Sequence, residues 1–125
     1  MKENEIATKV IGLAIRVHSF LGPGLMEKAY KECLYHIIKE EGMTVEKEKQ
    51  MPLNFEEVSL ECGYRIDLLV ENKLVLELKS VEALHDVHLA QILTYIKPGD
   101  FKLGLLINFN VTQLKYGIRR VVNGL

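Results

Sequence analysis

Alternation of apolar and polar residues is clearest in the stretch YRIDLLVENKLVLELKS. This pattern predicts two β-strands, roughly Glu61–Val70 and Leu74–Ser80, because both segments are rich in aliphatic residues and a short polar segment separates them. If the three residues Glu71–Lys73 form the connecting loop, Val70 lies opposite Leu74 in an antiparallel hairpin. A two-residue loop would shift the register by one position and turn the side chains of one strand to the other face.

The three-residue loop places Asp67 directly opposite Glu77. Because side chains alternate between the faces of a strand, Asp67, Glu77 and Lys79 then share one face, and Arg65 lies across from Lys79. In the two-residue alternative, Asp67 lies opposite Leu76 and the two acids are on different faces. With the three-residue loop, the other face is expected to be core and carries Ile66, Leu68, Leu74, Leu76 and Leu78.

Two carboxylates that oppose each other on adjacent strands are destabilising unless a cation lies between them or one of them is protonated. A divalent metal ion is the simplest cation for this position. The alternative is a solvent-exposed hairpin face on which Lys and Arg balance the acids, an arrangement that contributes little to stability. Both strands are apolar enough to be buried on both sides, as in a sheet covered by helices, and this favours a functional reason for the charges.

Two helices are predicted before this hairpin. Apolar residues at helical spacing indicate the first, over roughly Glu5–Phe20, and the sequence Gly-Pro-Gly follows it as a break. The second is expected over about Leu25–Glu41. Glu27 lies three residues before Tyr30 and therefore points along the apolar stripe of that helix. The stripe is predicted to contain Tyr30, Cys33, Leu34 and Ile37.

The remaining elements complete a mixed sheet, an α/β (α+β) fold. A polar strand at Thr44–Phe55 is expected at the edge, because Pro52 is tolerated only at an edge or a bulge. A helix over about Glu82–Lys97 then leads to a buried strand at Phe101–Phe109. That crossover makes the last strand parallel to the strand of Glu77.

A final helix, Thr112–Val122, is predicted with three cations on its polar side, Lys115, Arg119 and Arg120.

Three histidines are considered as possible metal ligands. His18 lies beside the apolar stripe of the first helix and is expected to be a packed or surface residue, not a ligand. His85 and His88 have the spacing of a helical metal pair, but no third ligand supports a zinc site.

Composition and charge set further bounds. The 125 residues are long enough to bury a core and predict one domain, 1–125. No apolar run approaches the ~18 residues of a membrane span. The absence of an apolar signal-peptide core and of paired cysteines predicts a cytoplasmic protein. A net charge of −1 does not indicate nucleic acid, but five basic residues and one acid from Lys97 onward permit an anionic ligand.

Several motifs resemble a known family. Gly24-x-x-Glu27-x-x-Tyr30 matches the signature of the small GxxExxY proteins, which the chain resembles from the first helix to the segment GLLINFNV. That family is similar to a branch of the PD-(D/E)XK nuclease superfamily. The superfamily's core, called restriction-endonuclease-like, is a helix, three antiparallel strands, a helix and a further strand, which is the order predicted above.

The superfamily's metal-binding pattern is an Asp followed by an acid-x-Lys on the next strand. Asp67 and Glu77-Leu78-Lys79 match it. The exonuclease-type branch adds a helical Glu before these strands and a Gln-x-x-x-Tyr after them, which correspond to Glu27 and to Gln91 with Tyr95. The third helix carries Leu84, Val87, His88, Gln91 and Tyr95 at spacings that place them on one side. The proline of the superfamily's name is Ile66 here.

The resemblance implies metal-dependent hydrolysis of phosphodiesters. Asp67, Glu77 and the backbone carbonyl of Leu78 would hold Mg²⁺ or Mn²⁺ through oxygen ligands. Glu27 would complete this shell or hold a metal-bound water. Lys79 would orient a water or stabilise charge in the transition state, and Gln91 would position a phosphate. The expected supporting or substrate-binding residues are Tyr95, Tyr30, Arg65 and His88.

Nucleic acid is therefore the expected partner, DNA more than RNA. Two alternatives stay open: a catalytically silent nuclease-fold module that binds nucleic acid or protein, and a hydrolase of a small phosphate ester. A small domain without a strongly basic surface would grip a polymeric substrate better as a homodimer or with a protein partner.

Overall fold

One five-stranded sheet with three helices on its faces forms the architecture. The computed structural model describes all residues from Met1 to Leu125. Strands lie side by side in the same order as in the chain. The elements are α1 (Glu3–Leu21), α2 (Glu27–Glu40), β1 (Val45–Phe55), β2 (Val58–Val70), β3 (Leu74–Lys79), α3 (Asp86–Ile96), β4 (Leu103–Asn108), a 3-10 turn (Leu114–Gly117) and β5 (Ile118–Val122).

The β2–β3 hairpin has the three-residue loop, so the predicted register is confirmed. Val70 pairs with Leu74. The loop reverses the chain through two consecutive left-handed residues, Glu71 and Asn72, with φ of 53° and 54°. Asparagine adopts this conformation more readily than most residues, and its presence here favours the three-residue loop.

The centre of the sheet, formed by β3, β4 and the end of β2, is buried on both faces, as its apolar sequence predicted. One face packs against α1 and α2 and contains Leu68, Leu74, Leu76 and Leu78 among others. The other face contains Ile66, Leu69, Val75 and Leu106, which pack against Ile92 and Ile96 of α3. His18 of α1 is packed, only 6% exposed, with its Nε2 2.8 Å from the carbonyl oxygen of Val111. Charged side chains in β2 and β3 therefore lie close to desolvated surroundings.

The edge and crossover predictions are both confirmed. β1 is an edge strand, and Pro52 lies where its register with β2 shifts between Met51 and Leu53. Since proline has no N–H to donate, the ladder breaks at this residue. β3 and β4 are parallel, and α3 connects them. No helix combines the length and hydropathy that a membrane crossing requires.

The third helix is shorter than predicted. It begins at Asp86 instead of Glu82, because the backbone N–H of His85 donates to Nδ1 of His88 at 2.9 Å and this interaction lies at the helix start. Val87, expected on the same side as Gln91, is 68% exposed. The two histidines therefore bond to each other at a helix terminus.

The predicted last helix, Thr112–Val122, is wrong. A 3-10 turn ends at Gly117, and β5 then pairs antiparallel with β4. Two physical reasons favour the strand: the segment ends in β-branched valines, and the edge of β4 offers unpaired backbone groups. The cations expected on a helical polar face are instead in the turn and on β5: Lys115, Arg119 and Arg120.

The prediction that Cys33 belongs to the apolar stripe of α2 is wrong, because this residue is exposed. Ile38, four residues after Leu34, is fully buried and takes that place.

The turn before β5 gives a stability prediction. We expect Gly117→Ala to lower the free energy of unfolding by about 1–3 kcal/mol, because a Cβ on Gly117 would overlap the carbonyl oxygen of Asn108. Gly12→Ala, in the exposed middle of α1, is the control. Nothing lies within 4 Å of its added Cβ, so this variant should gain about 0.5–1 kcal/mol. Urea unfolding measures both, and unchanged stability of Gly117→Ala would contradict the prediction.

Candidate active site

The two acids interlock where β2 and β3 separate. Regular pairing between these strands ends at Leu68 and Leu76. The next backbone N–H groups bond to side chains instead: Leu78 N–H donates to Asp67 Oδ2 at 2.8 Å, and Asp67 N–H donates to Glu77 Oε1 at 3.3 Å. This reciprocal contact confirms that Asp67 faces Glu77.

The interlocked acids also displace the neighbouring residues of β2. Arg65 does not lie across from Lys79, because beyond the acids β2 stays with β1 and Arg65 pairs with Gln50. Lys79 pairs with Asn108 on β4. Ile66 was expected beside Leu68 but packs in the opposite core cluster, under α3. The Asp67 side chain accepts the hydrogen bond from Leu78 N–H that a backbone carbonyl of β2 would accept in a regular ladder. The predicted positions of Arg65 and Ile66 both assumed regular alternation through this point.

The electrostatics of the pair favour a shared proton or a bound cation. Glu77 is 4% exposed. Burial, then the negative charge of Asp67 and a hydrogen bond with its side chain, raise the pKa of Glu77 to about 9. Without a cation, Glu77 is therefore protonated at neutral pH.

A chain of hydrogen bonds runs from Lys79 along α3. Lys79 Nζ donates to Gln91 Oε1 at 3.0 Å, and Gln91 Nε2 donates to the Tyr95 hydroxyl at 3.3 Å. Burial and, second, the charge of Glu77 raise the pKa of Tyr95. Lys79 takes part in none of the four ion pairs of the protein. Its charge is therefore free to meet an anionic group.

Glu27 approaches the site from α2. It is exposed, not buried in the apolar stripe as expected, because it lies in the first helical turn. Partial burial, followed by the charge of Asp67, raises its pKa, while Lys79 opposes the shift. The exposed Glu27 carboxyl is thus within electrostatic range of both Asp67 and Lys79.

Comparison of the sequence with models of known families identifies one that matches most of the chain. The family model of the PD-(D/E)XK nuclease superfamily matches residues 4–121. The chain belongs to the PD-(D/E)XK nuclease superfamily. Comparison with curated proteins and with solved structures gave no match. The superfamily consists generally of nucleases that use divalent metals, and the mixed sheet with flanking helices is its restriction-endonuclease-like fold.

Three residues that were expected to support the site or bind substrate, Tyr30, Arg65 and His88, contact different parts of the protein. Tyr30 is fully buried, and its hydroxyl bonds to the loop before α2. Arg65 is exposed; the hydrogen bond and charge of Lys31 lower the pKa of Glu48 on β1, and the charge of Arg65 adds to this effect. His88 accepts a hydrogen bond at the start of α3.

Three polar residues near the site were missed by the sequence analysis. Asn108 is 2% exposed, and its side chain bonds both backbone groups of Val81, just after β3. Ser80 donates its hydroxyl to the Leu25 carbonyl at 2.6 Å. Tyr64 stacks on Tyr95 with ring centroids 4.8 Å apart. The one available signal was a polar residue at the end of an apolar run, as in LGLLIN.

The donor set fits a hard divalent cation. Asp67 and Glu77 supply carboxylate oxygens, and a cation between them would relieve the repulsion that otherwise requires a proton. The N–H and C=O of one strand residue point to the same side, so the Leu78 carbonyl is directed toward β2 and the Asp67 side chain. No cluster of three or more His, Cys, Asp and Glu residues is formed. A bound ion would therefore be held by this acid pair, with the backbone and water supplying further oxygens.

Proposed function

We propose that this protein is a divalent-metal-dependent nuclease that hydrolyses phosphodiester bonds, in DNA more than in RNA. The observation that carries the proposal is the mutually facing pair of half-buried Asp67 and buried Glu77, beside a lysine without an ion-pair partner. The matching family model supports it, because the PD-(D/E)XK superfamily consists generally of nucleases.

The acids would hold Mg²⁺ or Mn²⁺, and Glu27 would hold a further water at the open side of the pair. Held by Asp67 and Glu77, such an ion would supply Lewis-acid chemistry to a phosphate and to a water molecule. Glu77 must release its proton for this role, since its pKa is about 9 without a cation.

The lysine and the residues of α3 act on the phosphate. Lys79 is held by Gln91 Oε1 at 3.0 Å, so its ammonium is fixed in place before substrate arrives. There it would stabilise the negative charge that develops on the phosphoryl group in the transition state. Gln91 also bonds Tyr95, so this pair restricts the rotamers of Lys79 and orients a phosphate oxygen.

The sequence also supports a proposed branch of the superfamily and a proposed cellular compartment. The spacing Gly24-x-x-Glu27-x-x-Tyr30 supports placement in the GxxExxY branch of the superfamily. Both cysteines, Cys33 and Cys62, are free thiols, which suits a reducing cytoplasm.

Incubation of the protein with labelled single- and double-stranded DNA and RNA tests this function. We expect cleavage with Mn²⁺ or Mg²⁺, none after chelation, and binding that weakens steeply with salt, because contacts to a phosphate backbone release counterions. A small phosphodiester such as bis(p-nitrophenyl) phosphate is the control substrate. Hydrolysis of that ester alone, or salt-sensitive binding without cleavage under every metal condition, would contradict the proposal.

A further inference from the structure

Two side-chain hydroxyls hold the loop that precedes α2. The Tyr30 hydroxyl donates to the carbonyl oxygen of Gly22 at 2.6 Å and accepts from the N–H of Leu25 at 3.1 Å. From the other side, Ser80 donates its hydroxyl to the carbonyl oxygen of Leu25 at 2.6 Å. Both backbone groups of Leu25 are therefore fixed, two residues before Glu27.

The loop needs such anchors because its own sequence is permissive. Gly22 and Gly24 have φ of 74° and 91°, values at which glycine has no steric penalty but also no stiffness. The residue at the helix N-cap, Met26, makes no side-chain capping bond. Tyr30 is rigid by contrast, since it is fully buried and stacks on Phe109 with centroids 4.4 Å apart and planes 10° from parallel.

The Ser80 bond joins this loop to the strand that carries the acid-x-Lys residues. Ser80 directly follows Lys79, so any movement of Leu25 relative to β3 is resisted at the edge of the site. Glu27 is the first residue of α2, directly after this anchored loop, and its carboxyl is close enough to Asp67 and Lys79 to experience both charges. A displaced loop would move Glu27 away from the acid pair.

We propose that Tyr30 and Ser80 are positioning residues of the metal site, whose hydroxyls hold the start of α2 against β3 so that the Glu27 carboxylate faces Asp67. This inference rests on the proposed metal-dependent function. It assigns both hydroxyls an effect on metal affinity that is transmitted through Glu27 and through no other residue.

A double-mutant cycle on Mn²⁺ binding, measured by titration calorimetry without substrate, tests this transmission. Tyr30→Phe and Ser80→Ala should each weaken Mn²⁺ binding by about 5-fold, less than the loss for residues that contact a metal ligand directly, because Glu27 acts through a water. In a Glu27→Gln background, each should change the affinity by less than about twofold, because the residue through which they act is already neutral.

The variants are chosen to keep the fold. Tyr30→Phe retains the ring that stacks on Phe109, and Ser80→Ala removes a single oxygen at the surface. Tyr35→Phe, on the same helix, and Ser59→Ala, which loses a hydroxyl bonded to Asn54 instead, are matched controls that should leave Mn²⁺ affinity unchanged.

The outcomes separate this inference from the proposed function. Equal weakening in the wild-type and Glu27→Gln backgrounds would show a general structural effect and overturn it. Unchanged Mn²⁺ affinity in Tyr30→Phe and Ser80→Ala would overturn it as well, with the metal site intact. A wild-type protein that binds no Mn²⁺ would overturn both this inference and the metal-dependent function.

Discussion

Lys79→Ala is expected to reduce nucleic-acid cleavage by about 10²–10³-fold, the loss that follows removal of one preorganised donor to a transition-state oxygen. The structure gives the reason, because Gln91 fixes the Lys79 ammonium near the acids and no carboxylate forms an ion pair with it. Mn²⁺ affinity should change much less, since an ammonium does not coordinate a cation. Initial rates on labelled DNA and calorimetric Mn²⁺ binding measure the two quantities.

Lys102→Ala is the matched control. Lys102 is also a lysine next to a sheet strand, but it is exposed and precedes β4, at the opposite end of the sheet from Lys79. Full activity of Lys102→Ala alongside a large loss in Lys79→Ala would tie the effect to position and not to net charge. Equal cleavage by wild type and Lys79→Ala would mean that the observed activity does not use Lys79.

The acid pair could be predicted from sequence because local rules determine it. A polar loop of three residues and aliphatic alternation on both sides set the register of β2 and β3, and the register alone brings Asp67 opposite Glu77. Likewise, helical spacing brings Gln91 and Tyr95 together. These contacts depend on residues that are near one another in the chain or in one hairpin.

The errors arise where distant partners decide the conformation. Ile66 changes faces because the Asp67 side chain takes a backbone partner on β3, which regular alternation does not anticipate. The predicted last helix has two cations four residues apart, Lys115 and Arg119, yet the segment after Gly117 joins the sheet because the edge of β4 offers backbone partners. Ser80 and Asn108 were missed for the same reason, since their partners lie 55 and 27 residues away.

Glu77→Gln is expected to weaken Mn²⁺ binding by more than about 100-fold, beyond the loss seen for residues that only orient a ligand. The same change should stabilise the metal-free protein at alkaline pH. Glu77 has a folded-state pKa of about 9 against a usual 4.5, so the folded state binds one more proton than the unfolded state between these values. Metal-free wild type therefore loses stability as pH rises through this window.

The variant removes that pH dependence, because glutamine does not titrate. The difference in free energy of unfolding between Glu77→Gln and wild type should grow from pH 5 to pH 9, to the order of a few kcal/mol. Glu57→Gln, an exposed turn residue, is the control and should show no such trend. Chemical unfolding in chelator at several pH values measures it.

The proton on Glu77 also makes metal affinity depend on pH. Because a cation must displace the proton of Glu77, Mn²⁺ binding at pH 7 should release about one proton, and the affinity should rise with pH until about pH 9. Calorimetry in two buffers of different ionisation enthalpy counts that proton. A Glu77→Gln protein that is less stable than wild type at pH 8 in chelator would show that Glu77 is ionised and stabilised by protein cations.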